Sequence, residues 1–158
     1  MKHIAIVITF VIGLAALAIA QTTNHPQDHG FFQTADMKWV DGPASLPKGT
    51  KAALLEGNPA QEGPFTMRLQ LPDGFKIPPH WHPSVEHVTV ISGTFNLGMG
   101  EKFDASSGRA LTAGSFAYMQ PDMRHFAWTT GETVIQVHGI GPWKINYVNP
   151  ADDPRNKK

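Results

Sequence analysis

The chain has 158 residues, with 13 Lys and Arg set against 13 Asp and Glu and no cysteine. Such balance argues against a nucleic-acid or anionic-membrane surface as the main partner. The absence of cysteine excludes a disulfide framework and a lipoprotein attachment thiol.

The first elements in chain order concern export. After Met1-Lys2-His3 the run from Ile4 to Ala20 carries no charge, and it ends in Ala18-Ile19-Ala20 before the polar stretch that starts at Gln21. A basic start, an apolar middle and a small-x-small exit predict a secretory signal peptide over residues 1–20, cut after Ala20, and an exported protein, periplasmic or secreted. The competing reading is an uncleaved anchor, for which a run of about 17 residues stands at the short limit of a membrane span. No twin-arginine pair precedes the run, so the chain is expected to cross unfolded and to acquire any metal outside the cytoplasm. After cleavage no membrane-crossing segment remains, and the loss of Lys2 leaves one acid in excess.

Residues 21–35 are polar and broken by Pro26 and Gly30, which predicts a loose N-terminal segment. From Lys38 onward, short apolar runs alternate with Gly, Pro, Asn and Asp. Strands are expected over residues 51–56, 65–71, 77–81, 87–91, 94–97, 115–119, 125–129, 133–139 and 143–148. In one of them Phe65, Met67, Leu69 and Leu71 share a face, with Thr66, Arg68 and Gln70 on the other. Turn signals stand between the runs at Pro72-Asp73-Gly74, Ser92-Gly93, Thr112-Ala113-Gly114, Pro121-Asp122 and Thr130-Gly131-Glu132. No helical stripe exceeds about two turns. The pattern predicts an all-β, single-domain jelly-roll barrel over residues 36–150, followed by a C-terminal tail, 151–158. Apolar residues on both faces of several runs (Trp81, Val88, Val90, Trp143, Ile145, Tyr147) suggest that two barrels pair as a homodimer.

The residues richest in chemistry are His80-Trp81-His82, then Glu86, then His125. On a strand, His80 and His82 reach to the same side. Two imidazoles joined by a carboxylate from the next stretch form a donor set suited to a divalent transition metal. Imidazole and carboxylate donors together fit Fe, Mn, Ni, Zn or Cu better than Ca or Mg, which prefer oxygen shells. Each imidazole is expected to donate its second N–H to a carbonyl or carboxylate that sets its ring plane.

The run from Gly74 to Gly93 fits G-x5-H-x-H-x3-E-x6-G without a gap and resembles the first motif of the cupin superfamily. A second motif, G-x5-P-x-G-x2-H-x3-N, is met in part between Gly114 and Thr129. The glycine-to-histidine spacing holds, but the proline (Pro121) comes one residue late, the following glycine is missing, and Thr129 stands where the asparagine would be. The resemblance implies a barrel of six to eight strands with one metal ion near its centre, held by His80, His82, Glu86 and His125. Four protein donors on an octahedral ion leave two positions for water, substrate or O2, and an open position marks a working site.

Other residues have more ordinary readings. His87 should face away from the metal, as a surface or packing residue, and His138 could point inward with Val134 and Gln136. Met67, Phe95, Met119, Phe126 and Trp128 are candidates for an apolar lining around the ion. Arg68 and Arg124 could clamp a carboxylate, and Tyr118 and Gln120 could bond a substrate. The leading expectation is an enzyme that binds a small oxygen-rich molecule through the ion, which acts as a Lewis acid. Dioxygenase-type chemistry is favoured over isomerase or lyase chemistry, with Glu86 able to leave the metal and act as a base. The alternatives are a non-catalytic module that binds a small ligand or metal outside the cytoplasm, and a metal that only braces the fold.

Overall fold

A computed structural model describes residues 29–157. The expected leader and most of the expected loose segment lie outside that range. Nine strands follow in order: β1 Val40–Asp41, β2 Lys51–Glu56, β3 Gly63–Leu71, β4 Lys76–Trp81, β5 Glu86–Met99, β6 Arg109–Thr112, β7 Phe116–Met119, β8 His125–Gly141 and β9 Asn146–Tyr147. Only short 3-10 turns interrupt them, at Thr34–Asp36, Ala105–Ser107, Pro150–Asp152 and Pro154–Asn156.

The alternation read in the sequence is the alternation of burial. Phe65, Met67, Leu69 and Leu71 are buried in β3, whereas Thr66, Arg68 and Gln70 are only partly covered. Every second residue of a strand faces the same way, so β3 buries one face and wets the other. All its pairings are antiparallel, with β2 on one side and the end of β8 on the other, in a register that sets Phe65 opposite Gly139 and Leu71 opposite Thr133.

Strands β5 and β8 do what the sequence pattern did not suggest. Ser92-Gly93 and Thr130-Gly131-Glu132 resemble turns, yet each lies inside a continuous strand, of 14 residues in β5 and 17 in β8. The two strands pair along both halves, with register shifts between Val90 and Thr94. Bulges at these points bend both strands from one sheet into another. One sheet runs β1-β2-β3-β8-β5-β7 through the later half of β8; the other runs β9-β4-β8-β5-β6 through its earlier half. The result is a jelly-roll barrel.

The corner needs glycine. Gly93 has φ +77°, and a Cβ there would stand 2.4 Å from the carbonyl oxygen of Glu132. Thr133, fully buried, ties the corner by sharing its one hydroxyl hydrogen between the carbonyls of Thr94 and Gly131 and accepting from the Thr94 amide. Thr129, in place of the asparagine of the second motif, has a comparable task. Its hydroxyl donates to the Pro72 carbonyl at 2.6 Å and accepts from the Phe75 amide at 2.9 Å, pinning the β3–β4 turn to β8.

The core lies between the sheets and includes Phe65, Leu71, Val88, Val90, Ile135 and Val137. Val88, Val90, Ile145 and Tyr147, read in the sequence as material for an outer dimer face, are buried inside the barrel. The strand expected over residues 143–148 shrinks to β9. The chain before it crosses the barrel instead, with the Trp143 amide bonded to the Pro59 carbonyl at 2.7 Å.

Candidate metal centre

The strand ends bring four distant residues to one point. His80 lies near the end of β4, His82 just beyond it, Glu86 opens β5 and His125 opens β8. His80 is paired in register with both His125 and Tyr147 across neighbouring strands, which fixes two of the imidazoles side by side. All four are buried: His80 is 4 %, His82 2 %, Glu86 7 % and His125 2 % exposed. One ring nitrogen from each of the three histidines lies within 4.8 Å of the others, close enough to share one ion.

The orientation of each ring is set by a backbone carbonyl. Nδ1 of His80 donates to the Pro78 carbonyl at 2.7 Å, Nδ1 of His125 to the Met123 carbonyl at 2.9 Å, and Nδ1 of His82 to the Lys144 carbonyl at 2.7 Å. With the proton held on Nδ1, the other nitrogen of a neutral ring carries a lone pair. For His82 and His125 that nitrogen, Nε2, is buried without a hydrogen-bond partner. It faces Oε2 of Glu86 instead, at 3.4 Å from His82 and 3.2 Å from His125. Lone pairs aimed at a carboxylate repel one another unless a cation, a proton or a metal ion, stands between them.

The electrostatics agree. Burial pushes His80 well below the ordinary imidazole value, and charge on His125 and His82 pushes it further. Burial alone would raise Glu86, but charge on His82 and polar contacts from His125 and His82 outweigh it, so the carboxyl is held far below its ordinary value. Burial thus favours the neutral form of His80, and the neighbouring imidazoles favour the ionised form of Glu86. Around these donors is a cavity of about 20 Å³, lined by apolar side chains that include Phe95, Leu97, Met119, Ile135 and Trp143. It has room for one ion or one water.

The lining expected from sequence is correct for Phe95 and Met119 only. Met67 lines a separate chamber. Phe126 and Trp128 stack with each other and meet Phe103, outside the main core cluster. Arg124 is turned away, over the ring of Trp81 and towards Glu101, and Arg68 bonds Gln136, so neither guanidinium reaches the histidines. Tyr118 is 58 % exposed and Gln120 is exposed. His87 faces away from the centre as expected. His138 does not point inward: it stacks on His87, with ring centroids 4.7 Å apart, while Ile135 and Val137 fill the interior.

Sequence reading missed Trp143. Its indole stacks on His82 with centroids 4.3 Å apart and planes 16° from parallel, and the next residue supplies the carbonyl that orients His82. No local signal marks this pair, since 61 positions separate the two rings along the chain. The carbonyls of Pro78 and Met123, by contrast, each lie two residues before the histidine they hold.

This geometry has relatives. Residues 27–144 match the family described as the ChrR Cupin-like domain. The chain belongs to the ChrR cupin-like family. Among solved structures, this cupin is similar to the polyketide cyclase RemF from Streptomyces resistomycificus, at 17% identity over 81% of this chain and 91% of that one, with a TM-score of 0.62. A putative acetylacetone dioxygenase from Methylibium petroleiphilum is 20% identical over 80% of this chain and 85% of that one, with a TM-score of 0.60. An RmlC-like cupin from Shewanella frigidimarina is 16% identical over 72% of this chain and 91% of that one, with a TM-score of 0.55. At such identities the likeness shows the fold. No curated protein matches the sequence.

Proposed function

We propose that His80, His82, Glu86 and His125 hold one divalent transition-metal ion, and that this cupin is an enzyme acting on a small oxygen-rich molecule. The observation that carries the reading is the pair of orphaned Nε2 atoms, on His82 and His125, facing the Glu86 carboxylate in a closed apolar pocket. Of the candidate ions (Fe, Mn, Ni, Zn, Cu), each suits a set of three imidazoles and a carboxylate. A bound ion would supply Lewis acidity towards an enol or carboxylate and, for the redox-active metals, a route to oxygen chemistry.

The protein's own part follows from its geometry. The three carbonyls on Nδ1 hold the rings rigid and raise the donor strength of Nε2. The apolar wall excludes water and strengthens the charges inside. Glu86 is the side chain placed to take a proton from bound substrate, with a basicity damped by whatever cation it faces. Dioxygenase-type chemistry on a β-diketone or similar enol is the reaction class we favour, and the likeness to a putative acetylacetone dioxygenase is in keeping with it. A second reading, a non-catalytic binding module, is favoured by one feature, the tight enclosure of the 20 Å³ cavity.

Two further expectations belong to the same reading. The uncharged run over residues 4–20 supports export to the periplasm or beyond. For a homodimer, the outer face of the first sheet is the surface we favour, because Phe116 and Tyr118 are exposed there beside His87. Sedimentation at equilibrium tests the dimer.

The decisive experiment is elemental analysis of the purified full-length chain beside a variant carrying both His80→Ala and His82→Ala. About one transition-metal ion per chain is expected in the first and none in the second. Metal retained by the double variant would overturn the ligand assignment. Oxygen uptake with β-diketones, enols and catechols then separates oxygenase from non-redox chemistry. Tight ligand binding without turnover, whatever the metal, would favour the binding module.

A further inference from the structure

The cavity beside the histidines, about 20 Å³, has room for an ion but not for a substrate, so any substrate must be housed next to it. A chamber of about 440 Å³ lies directly beyond Trp143 and Ile145, which line both the pocket and the chamber. That volume falls in the range of small-molecule sites, whereas the pocket itself does not. Its walls are mostly apolar. Val40 and Leu54 face it from β1 and β2 although they are 62 % and 55 % exposed, and Met67, Pro59 and Ala60 complete it.

Three charged side chains, Asp41, Lys144 and Arg155, stand at its edge, and two of them are engaged. Asp41 is paired with Lys51 at 2.6 Å, and Arg155 with Asp153 at 2.7 Å. The mostly apolar lining therefore suits an aromatic or aliphatic body better than a sugar-like one.

The partition is held at its backbone by a hydrogen bond and at its ring by packing. The Trp143 amide bonds the Pro59 carbonyl, while the indole Nε1 is buried with no hydrogen-bond partner and the ring packs on His82, Phe65 and the core. A change of rotamer would join chamber and pocket without breaking a backbone hydrogen bond.

We propose that this chamber binds the uncharged apolar body of the substrate, with Trp143 as the movable partition past which its oxygen donors reach the histidines. The proposal rests on the metal reading above. It narrows the substrate class to enols or β-diketones bearing an aromatic or branched aliphatic substituent.

The test compares acetylacetone with 1-phenylbutane-1,3-dione on the zinc-loaded full-length chain by calorimetry, and follows the methyl signals of Met67 and Ala60 by NMR. The phenyl compound should bind at least about tenfold more tightly, as burial of a phenyl group in an apolar site implies. Leu54→Trp, and independently Val40→Trp, should abolish that preference while zinc content stays unchanged. Both positions are exposed on strands, so at least one variant is expected to fold. Equal affinities in the wild type, or a preference that survives both variants, would overturn the proposal.

The metal-free chain separates the two readings. If zinc fails to bind but 1-phenylbutane-1,3-dione still shifts the Met67 and Ala60 methyls, the chamber stands and the metal assignment falls. If zinc binds and those methyls stay still, the chamber falls alone. Methyl shifts that depend on protein concentration, or contacts to them from residues 21–28 in the free chain, would mean that another polypeptide segment fills the space and would likewise refute it.

Discussion

Replacing Glu86 with Gln should move two properties in opposite directions. In the metal-free protein the Nε2 lone pairs left by the Nδ1–carbonyl bonds of His82 and His125 confront the carboxylate oxygen at 3.4 and 3.2 Å, with no hydrogen-bond partner. Gln has nearly the same shape but carries an NH2, which can donate to one of these lone pairs. Satisfying one buried orphan is worth about 1–3 kcal/mol. For a domain of this size that corresponds to a rise in Tm of about 3–10 °C. The metal should respond in the other sense, because the substitution removes the one negative charge among the donors. Loss of a mere outer partner weakens metal binding by about 10–100-fold, so loss of the charged donor should weaken it by about 100-fold or more. Thermal melts with a chelator present and a zinc titration against a competing dye read both quantities. A lower metal-free Tm with unchanged zinc affinity would refute the reasoning. It would mean that Glu86 works as a structural ion pair with protonated histidines.

Further outcomes follow from the same geometry. The metal-free protein should lose stability as pH falls below about 6.5. His80 is held below its ordinary value, so the unfolded chain takes up that proton first. Glu86, also depressed, adds a second loss once the pH drops through the ordinary carboxylate range. A Tm that is flat or rises between pH 7.5 and pH 5 would contradict the burial of these groups. Thr129→Val should cost about 1–3 kcal/mol in a urea titration, since it strips a buried acceptor from the Phe75 amide and a donor from the Pro72 carbonyl. Gly98→Ala should cost about 1–3 kcal/mol, because the new methyl would sit 2.3 Å from the buried ring of Phe126. An unchanged urea midpoint would show that this ring gives way freely.

The sequence by itself determined the class of fold and singled out the candidate donors. Alternation is a local property: Phe65, Met67, Leu69 and Leu71 must share a face if the segment is extended, and their burial in β3 follows. His80, His82, Glu86 and His125 were legible because their spacing is itself a pattern and because the chemistry of a metal restricts which side chains can serve. The long strands were not legible. Gly93 and Gly131 read as turns, since a residue with positive φ is compatible with either a turn or a bulge, and only pairing with the opposite strand decides between them.

The tertiary structure alone decided what surrounds the donors. Pairing between β5 and β8 carried His138 to the outer face and stacked it on His87, against the inward reading. The path of the chain after β8 laid Trp143 on His82 and brought the Lys144 carbonyl to its Nδ1. Contacts of this kind join residues about sixty positions apart and depend on the shape of the closed barrel, which no local pattern encodes. Donor identity is a matter of chemistry and spacing, whereas ring orientation, enclosure and access are matters of packing.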